Sequence, residues 1–342
     1  MNWKMQENIL EKFMKKNNFW KEKKVLLTGI HGFIGSNLCK HLINNGAIVY
    51  GLTKNNSTYS LLSLEKINNY NLINTSNQPS DIFELINDKD IEICFHLGAQ
   101  VEVQKAIQFP YDTLNNNINS TLQLCEAFRN SNHLKCFLFT STDKVYGDID
   151  KDKLPYKEDY TPLAKHPYEV SKLICENICK NYSENFKLPL IITRSCNLYG
   201  PGQLNFSALI PSLIKSAITS KEFLPRSNGL LLRDYMFIDD WVDTLKNIVE
   251  ISINKNEFNE IYNFGTNNPF SVKEISKIIF DKINSKMTQK IINEFEKYTS
   301  QNEILYQSLN SEKAKKDFNF YCKTDINSGL DKTINWYKRY LF

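Results

Sequence analysis

The sequence predicts a doubly wound α/β fold, and three observations carry that prediction. Short apolar β-runs alternate with helical patterns through the first two hundred or so residues. The connections between them lack tight hairpin turns, so the strands are expected to pair in parallel through right-handed crossovers. Three glycines, Gly29, Gly32 and Gly35, fall where the first strand gives way to a helical pattern.

Taken in order, residues 1–20 read as a short polar helix ending at Phe19-Trp20, and Val25 to Thr28 as the first strand. The glycine turn leads into a helix, Ser36 to Asn44, and Ala47 to Leu52 form a second strand. A helix near 81–88, a strand Ile91 to His96, a helix about 112–129 and a strand Cys136 to Thr140 follow. A helix about 167–185 and a strand Leu190 to Arg194 complete the series. After Gly200-Pro201-Gly202 the rhythm loosens, with Pro211, Pro225 and Gly229 in loops and helices near 208–220, 239–253 and 271–285. The mixed, charged tail 286–342 closes on an amphipathic stretch, Leu330 to Tyr340. The predicted organisation is a helical extension (1–20), a dinucleotide-binding Rossmann-type domain (21–200) and a smaller mixed C-terminal substrate lobe (201–342). That lobe lies over the carboxyl ends of the strands, and chain segments are free to cross between the two.

Composition excludes several classes. With 342 residues, 42% apolar and 23% charged, the chain has the make-up of a globular protein and not of a disordered or fibrous one. Its net charge of +4 is spread along the sequence, which argues against a nucleic-acid partner. No run approaches the roughly 18 apolar residues of a membrane span. Lys4, Glu7, Glu11, Lys12, Lys15 and Lys16 are unlike a signal peptide. The eight cysteines lack CxxC spacing and sit mostly in apolar runs, so they read as buried thiols of a cytoplasmic protein. Cys175 and Cys179 share a helix face but have no further ligands nearby, and no metal is expected.

The glycine spacing has a physical purpose. The first glycine permits a tight turn, the second lets backbone approach a pyrophosphate, and the third lets helix and strand pack closely. The helix N-terminus adds unpaired N–H groups and partial positive charge. The loop therefore predicts a dinucleotide site formed by Gly29, His31, Gly32, Phe33, Ile34 and Gly35. About twenty residues on, Thr53-Lys54 stands where a carboxylate would bind the ribose hydroxyls of NAD. The absence of an acid there, with Lys54 able to meet a 2′-phosphate, tips the expectation slightly toward NADP over NAD.

Tyr168 and Lys172 are one helical turn apart and share a face. A phenol is a poor base near neutrality, and a neighbouring ammonium with the nicotinamide's positive charge is expected to favour the phenolate. Thr142, just after a strand, offers a hydroxyl to share the substrate proton. His31 reads as an exposed loop residue and His96 as a satisfied strand-end histidine.

Together, Thr28 to Gly35, His96-Leu97-Gly98-Ala99-Gln100, Thr142 with Tyr168 and Lys172, and Arg194 to Gly202 resemble the extended short-chain dehydrogenase/reductase superfamily, in its nucleotide-sugar epimerase/dehydratase branch. Leu209-Ile210-Pro211, Arg233-Asp234-Tyr235 and Tyr262-Asn263-Phe264-Gly265 follow in matching order. The resemblance implies that Leu97, Gly98, Ala99 and Gln100 face the cofactor, and that Asn197 and Arg233 hold the substrate's diphosphate or sugar. Glu102, just beyond Gln100, reads either as a sugar-pocket residue or as a surface acid. In the 4,6-dehydratases Thr-Asp-Glu is usual, whereas Thr142-Asp143-Lys144 is similar to the CDP-glucose 4,6-dehydratases. By that likeness Asp143, kept protonated by desolvation, donates to the departing hydroxyl, and Lys144 removes the proton on carbon 5. The alternatives are a 4-epimerase or 4-dehydrogenase on a nucleotide sugar, which shares every motif except Asp143-Lys144, and a sensor of nucleotide sugars without turnover. Family members often pair through two helices per subunit, which implies a homodimer built on the helices near 112–129 and 167–185. Asn74 or a neighbour stands where the family has an Asp on adenine, and Asn117 to Thr121 lack a glycine often found there.

Overall fold

In β1 (Lys24–Thr28), Val25, Leu26 and Leu27 are fully buried, so neighbouring residues on opposite faces both point into apolar surroundings. A strand buried on both sides needs helices on both sides, as in parallel α/β sheets. The computed structural model, which describes residues 19–53, 59–74, 79–298 and 306–342, has that arrangement. Around β1 lie β2 (Ile48–Thr53), β3 (Asn71–Asn74), β4 (Ile93–His96), β5 (Cys136–Thr142), β6 (Leu190–Ser195) and β10 (Glu260–Phe264). The sheet order is β10-β6-β5-β4-β1-β2-β3, and every pairing is parallel. The strand order reverses between β1 and β4, and a ligand crevice opens at such a point beyond the carboxyl ends.

Alternation along the strands divides the core into two layers. Leu26, Cys94, Phe137, Phe139 and Ile192 meet Leu124, Phe128, Cys175 and Cys179 of the helices Pro110–Arg129 and Pro167–Phe186. Val25, Leu27, Phe95, Leu138 and Ile191 meet Leu38 and Leu42 of the helix Phe33–Asn44 and Trp241 to Val249 of the helix Ile238–Lys255. Each such aliphatic or aromatic side chain contributes about 1.5–3 kcal/mol by leaving water. The cysteines are all free thiols, seven of them buried, as expected.

Two strands of the seven-stranded sheet went unread in the sequence. β3 is four residues, Asn-Leu-Ile-Asn, too short and too polar at its ends to show a period. β10 comes from the C-terminal half and returns to pair with β6, Tyr262 opposite Thr193. The remainder of that half supplies the helices Leu209–Thr219, Val272–Ile283 and Ser285–Glu294, the last of these within the segment read as mixed tail. Two small pairings carry the cleft's far wall: β7 (Asn197–Tyr199) with β9 (Tyr235–Phe237), and β8 (Leu232–Arg233) with β11 (Phe270–Ser271). The expected helix in residues 1–18 and the residue Lys54 lie outside the described residues. Among those described, no helix is long and apolar enough to cross a membrane.

Candidate active site

The glycine loop is built as a close-contact cradle. Gly29 has φ +67°, and a Cβ there would lie 2.8 Å from the Cα of Gly98. A Cβ on Gly35 would lie 2.2 Å from the carbonyl oxygen of Gly29, so only hydrogen fits. The helix Phe33–Asn44 opens at Gly32 with no side-chain cap and no acid in its first turn. Its leading N–H groups and positive dipole end are therefore available to a phosphate. Thr28 ties the loop to β4: its Oγ1 accepts from the N–H groups of Leu97 (3.1 Å) and Gly98 (2.8 Å) and bonds Nδ1 of His96 (2.8 Å). The other ring nitrogen of His96 meets Thr121 Oγ1 at 2.9 Å, so this histidine is satisfied and structural. These features fit a dinucleotide pyrophosphate.

From the loop a cleft of about 570 Å³ runs across the strand ends. Gly29, Gly32, Phe33, Ile34 and Gly35 line one end of it, with Leu97, Gly98 and Ala99 beside them. Thr142, Lys144, Tyr168 and Lys172 form its middle, and Asn197 and Arg233 its far wall. Five expected residues lie elsewhere. The side chain of Gln100 turns to the backbone of Glu102, accepting from its N–H at 2.6 Å. Glu102 is exposed at the start of the helix Val103–Gln108 and does not line the cleft. Thr53 ends β2 away from the cleft wall. His31 is not an exposed loop residue: it is half-buried, its Nδ1 is 3.3 Å from Ser60 Oγ, and its ring packs against Tyr70. Burial lowers its pKa. Asp143, only 1% exposed, sits behind the wall that Thr142 and Lys144 make.

The side chains around Asp143 are joined by hydrogen bonds. Tyr168 and Thr142 both line the middle of the cleft. The Thr142 hydroxyl donates to Asp143 Oδ1 at 3.1 Å, and the Lys144 ammonium lies 3.4 Å from the same oxygen. Lys144 also reaches Asn197 Oδ1 at 3.3 Å. Asp143, expected to be held protonated by desolvation, is buried with two donors on one oxygen, the Thr142 hydroxyl and the Lys144 side chain. The protein's own groups push the Tyr168 phenol up, through burial first and the charge of Asp143 second. Lys172 is itself pushed down by burial, and its ammonium lies 4.1 Å from the centre of the Phe139 ring.

Several supporting residues were not foreseen. Asn117 accepts from the Gln100 N–H (2.7 Å) and donates to the Gln100 carbonyl (3.1 Å) and Ser171 Oγ (2.9 Å). It thereby fixes the loop after β4 against the helix that carries Tyr168. Arg226 and Tyr235 also line the far wall. No spacing in the sequence marks them, because their neighbourhood arises from the β7–β9 and β8–β11 pairings. Arg233 is anchored through Nη1 to the Leu232 carbonyl at 2.9 Å. Of the nearby acids, Asp234 accepts from Thr266 and Asn267, and Asp239 faces His41.

The GDP-mannose 4,6 dehydratase family matches residues 26–333 of the chain. The dTDP-D-glucose 4,6-dehydratase of Homo sapiens is 29% identical over 326 residues, covering 92% of this chain and 90% of that one. The solved dTDP-glucose 4,6-dehydratase of Bacillus anthracis in complex with NAD superposes with a TM-score of 0.78 at 25% identity, over 93% of this chain and 97% of that one. The UDP-glucuronic acid 4-epimerase of Bacillus cereus in complex with UDP-glucuronic acid and NAD gives 0.77 at 27%, over 92% and 99%. The chain spans about half the length of the trifunctional Arabidopsis thaliana dehydratase/epimerase/reductase that it also matches, 47% of it.

Proposed function

The chain belongs to the GDP-mannose 4,6 dehydratase family, and we propose that within it the protein is an NAD-dependent nucleotide-hexose 4,6-dehydratase whose substrate is CDP-glucose. Its product is then a nucleotide-linked 4-keto-6-deoxyhexose. The observation that carries this reading is the Asp143–Lys144 pair, hydrogen-bonded to Thr142, which lines the cleft beside Tyr168. Oxidation at carbon 4 requires only Tyr168, Thr142 and Lys172. A charged pair beside them has no use in a simple epimerase and a direct one in removing water.

The cradle of Gly29, Gly32 and Gly35 would hold the dinucleotide's pyrophosphate, with Leu97, Gly98 and Ala99 alongside and Lys172 near its reactive end. When bound there, the dinucleotide supplies a reversible two-electron acceptor. The solved relatives hold NAD, and nothing described here favours NADP. Tyr168 takes the proton of the carbon 4 hydroxyl with Thr142 as its hydrogen-bonding partner, and the new ketone acidifies the proton on carbon 5. The Asp143–Lys144 pair then carries the loss of water. Arg233, with Asn197, binds the diphosphate, a task that suits the planar fork of a guanidinium.

The likeness to solved epimerases favours a second reading, a nucleotide-sugar 4-epimerase or 4-dehydrogenase. A sensor without turnover has no need of an intact Tyr168, Thr142 and Lys172. The chain is also proposed to pair with a second copy through the helices Pro110–Arg129 and Pro167–Phe186, whose outer faces expose Tyr111, Leu122 and Phe186. Cytoplasmic residence agrees with free, buried cysteines. Incubation of the protein with CDP-, dTDP-, GDP- and UDP-hexoses, followed by mass spectrometry, tests the reading. Loss of one water supports it, and an isomer of unchanged mass supports the epimerase.

A further inference from the structure

We infer that Arg226 reads the nucleotide base of the substrate, and that its guanidinium selects cytosine over uracil and thymine. This rests on the reading of the cleft as a nucleotide-sugar site and deepens its choice of CDP.

Arg226 stands on the loop that joins the helix Leu209–Thr219 to β8, and it lines the cleft. Buried and exposed residues alternate along that loop. Phe223, Pro225 and Ser227 are buried, and Leu224 and Arg226 between them are exposed. Leu224 and Arg226 therefore share a side, an apolar surface next to a fork of donors. The loop is pinned before and after them. Phe223 packs against Phe295 with ring centres 6.1 Å apart. The Gly229 carbonyl accepts from the Lys273 N–H at 2.9 Å, and the Leu231 carbonyl accepts from the Val272 N–H at 3.1 Å. Among the described residues, none accepts a hydrogen bond from the Arg226 guanidinium.

With the hexose at Tyr168 and the diphosphate on Asn197 and Arg233, the nucleoside falls on the remaining stretch of the far wall. In the β8–β11 pairing Leu232 stands opposite Ser271, which sets Leu231 beside Val272 at the same end of the cleft as Arg233. Phe223, Leu224, Leu231, Val272 and Phe295 all line the cleft, and an apolar surface of this kind suits the faces of a planar base. The edge of the base is left for Arg226. A guanidinium carries five N–H donors in a rigid fork and no acceptor. Cytosine presents two neighbouring acceptors, O2 and N3, which match that fork. Uracil and thymine carry a hydrogen on N3, so a donor faces a donor and the paired bonds are lost. Guanine offers O6 and N7 on another edge, so the selection is among pyrimidines.

CDP and UDP differ only at N3 and C4 of the base, which makes them the probes. The NAD-loaded protein is titrated with each by calorimetry. CDP is expected to bind at least ~fivefold tighter than UDP. Arg226→Leu is expected to erase that preference by weakening CDP and sparing UDP. Arg226→Lys keeps the charge without the fork and is expected to lose the preference as well. An unaltered protein that binds both nucleotides equally overturns the inference. So does a leucine variant that weakens both in the same proportion while lysine restores both, a result that makes Arg226 a phosphate-binding cation. If the leucine variant does not fold, the lysine variant decides: CDP preference kept there overturns the inference. The dehydratase reading fails on a different result, no loss of water from any nucleotide hexose, and CDP selection through Arg226 would survive it. Loss of water from UDP-glucose by a protein with no preference for CDP leaves the dehydratase reading and removes the inference.

Discussion

Arg194 at the end of β6 grips Glu176 on the helix that carries Tyr168 and Lys172, through Nε at 3.0 Å and Nη2 at 2.6 Å. Both side chains are almost wholly buried, and the guanidinium also lies 4.6 Å from the centre of the Tyr146 ring. Tyr146 in turn donates to Asn263 of β10 at 2.8 Å. One buried pair therefore links the helix Pro167–Phe186 to that edge of the sheet.

Breaking the pair leaves an uncompensated buried charge. Glu176→Ala is expected to cost about 3–5 kcal/mol of stability. Urea unfolding of the variant checks this, and a loss under about 1 kcal/mol would mean that water relieves the arginine.

Gly35→Ala places a methyl group where the Gly29 carbonyl oxygen already stands, 2.2 Å away. The loop must shift, and NAD affinity measured by calorimetry is expected to fall at least ~tenfold with the fold retained by circular dichroism. Unchanged affinity would show that the pyrophosphate sits elsewhere.

Burial and Asp143 raise the Tyr168 phenol, so its active ionised form is scarce at neutral pH and grows as pH rises. Oxidation at carbon 4 is expected to climb with pH through the alkaline range, with no plateau near neutrality. Tyr168→Phe is expected to lower it about 10²–10⁴-fold. A rate flat from pH 7 to 10 would assign the base role to another group.

Asp243 is held down to about 2 by His41 first and Lys246 second. A depressed carboxylate stabilises the fold above its unfolded pKa of about 3.9, and that contribution is lost as pH falls toward 2. The side chain is 47% exposed, so solvent screens the effect to within about 1 kcal/mol. Asp243→Asn should unfold at slightly lower urea at pH 7 and match the parent near pH 2.

Much of this was legible in the sequence, for identifiable reasons. Gly29, Gly32 and Gly35 could be read because a phosphate cradle needs glycine at fixed spacing next to a strand. Tyr168 and Lys172 could be read because one helical turn sets their separation. The position of Asp143 behind the cleft wall could not, since it depends on how the short turn Asp143–Tyr146 leaves β5. Asn117 and Arg226 gain their neighbours from contacts between distant segments, and β10 joins the sheet from the far half of the chain. His31 looked exposed because the packing of Ser60 and Tyr70 against it has no local sequence signature.

If the Asp143–Lys144 pair carries the loss of water, the protein is a dehydratase. The most direct test is the mass of the sugar nucleotide after incubation of the NAD-loaded protein with CDP-glucose. A dehydratase yields a product lighter by one water with no net reduction of the dinucleotide. A product of unchanged mass and altered retention would contradict it and assign the cleft to epimerisation.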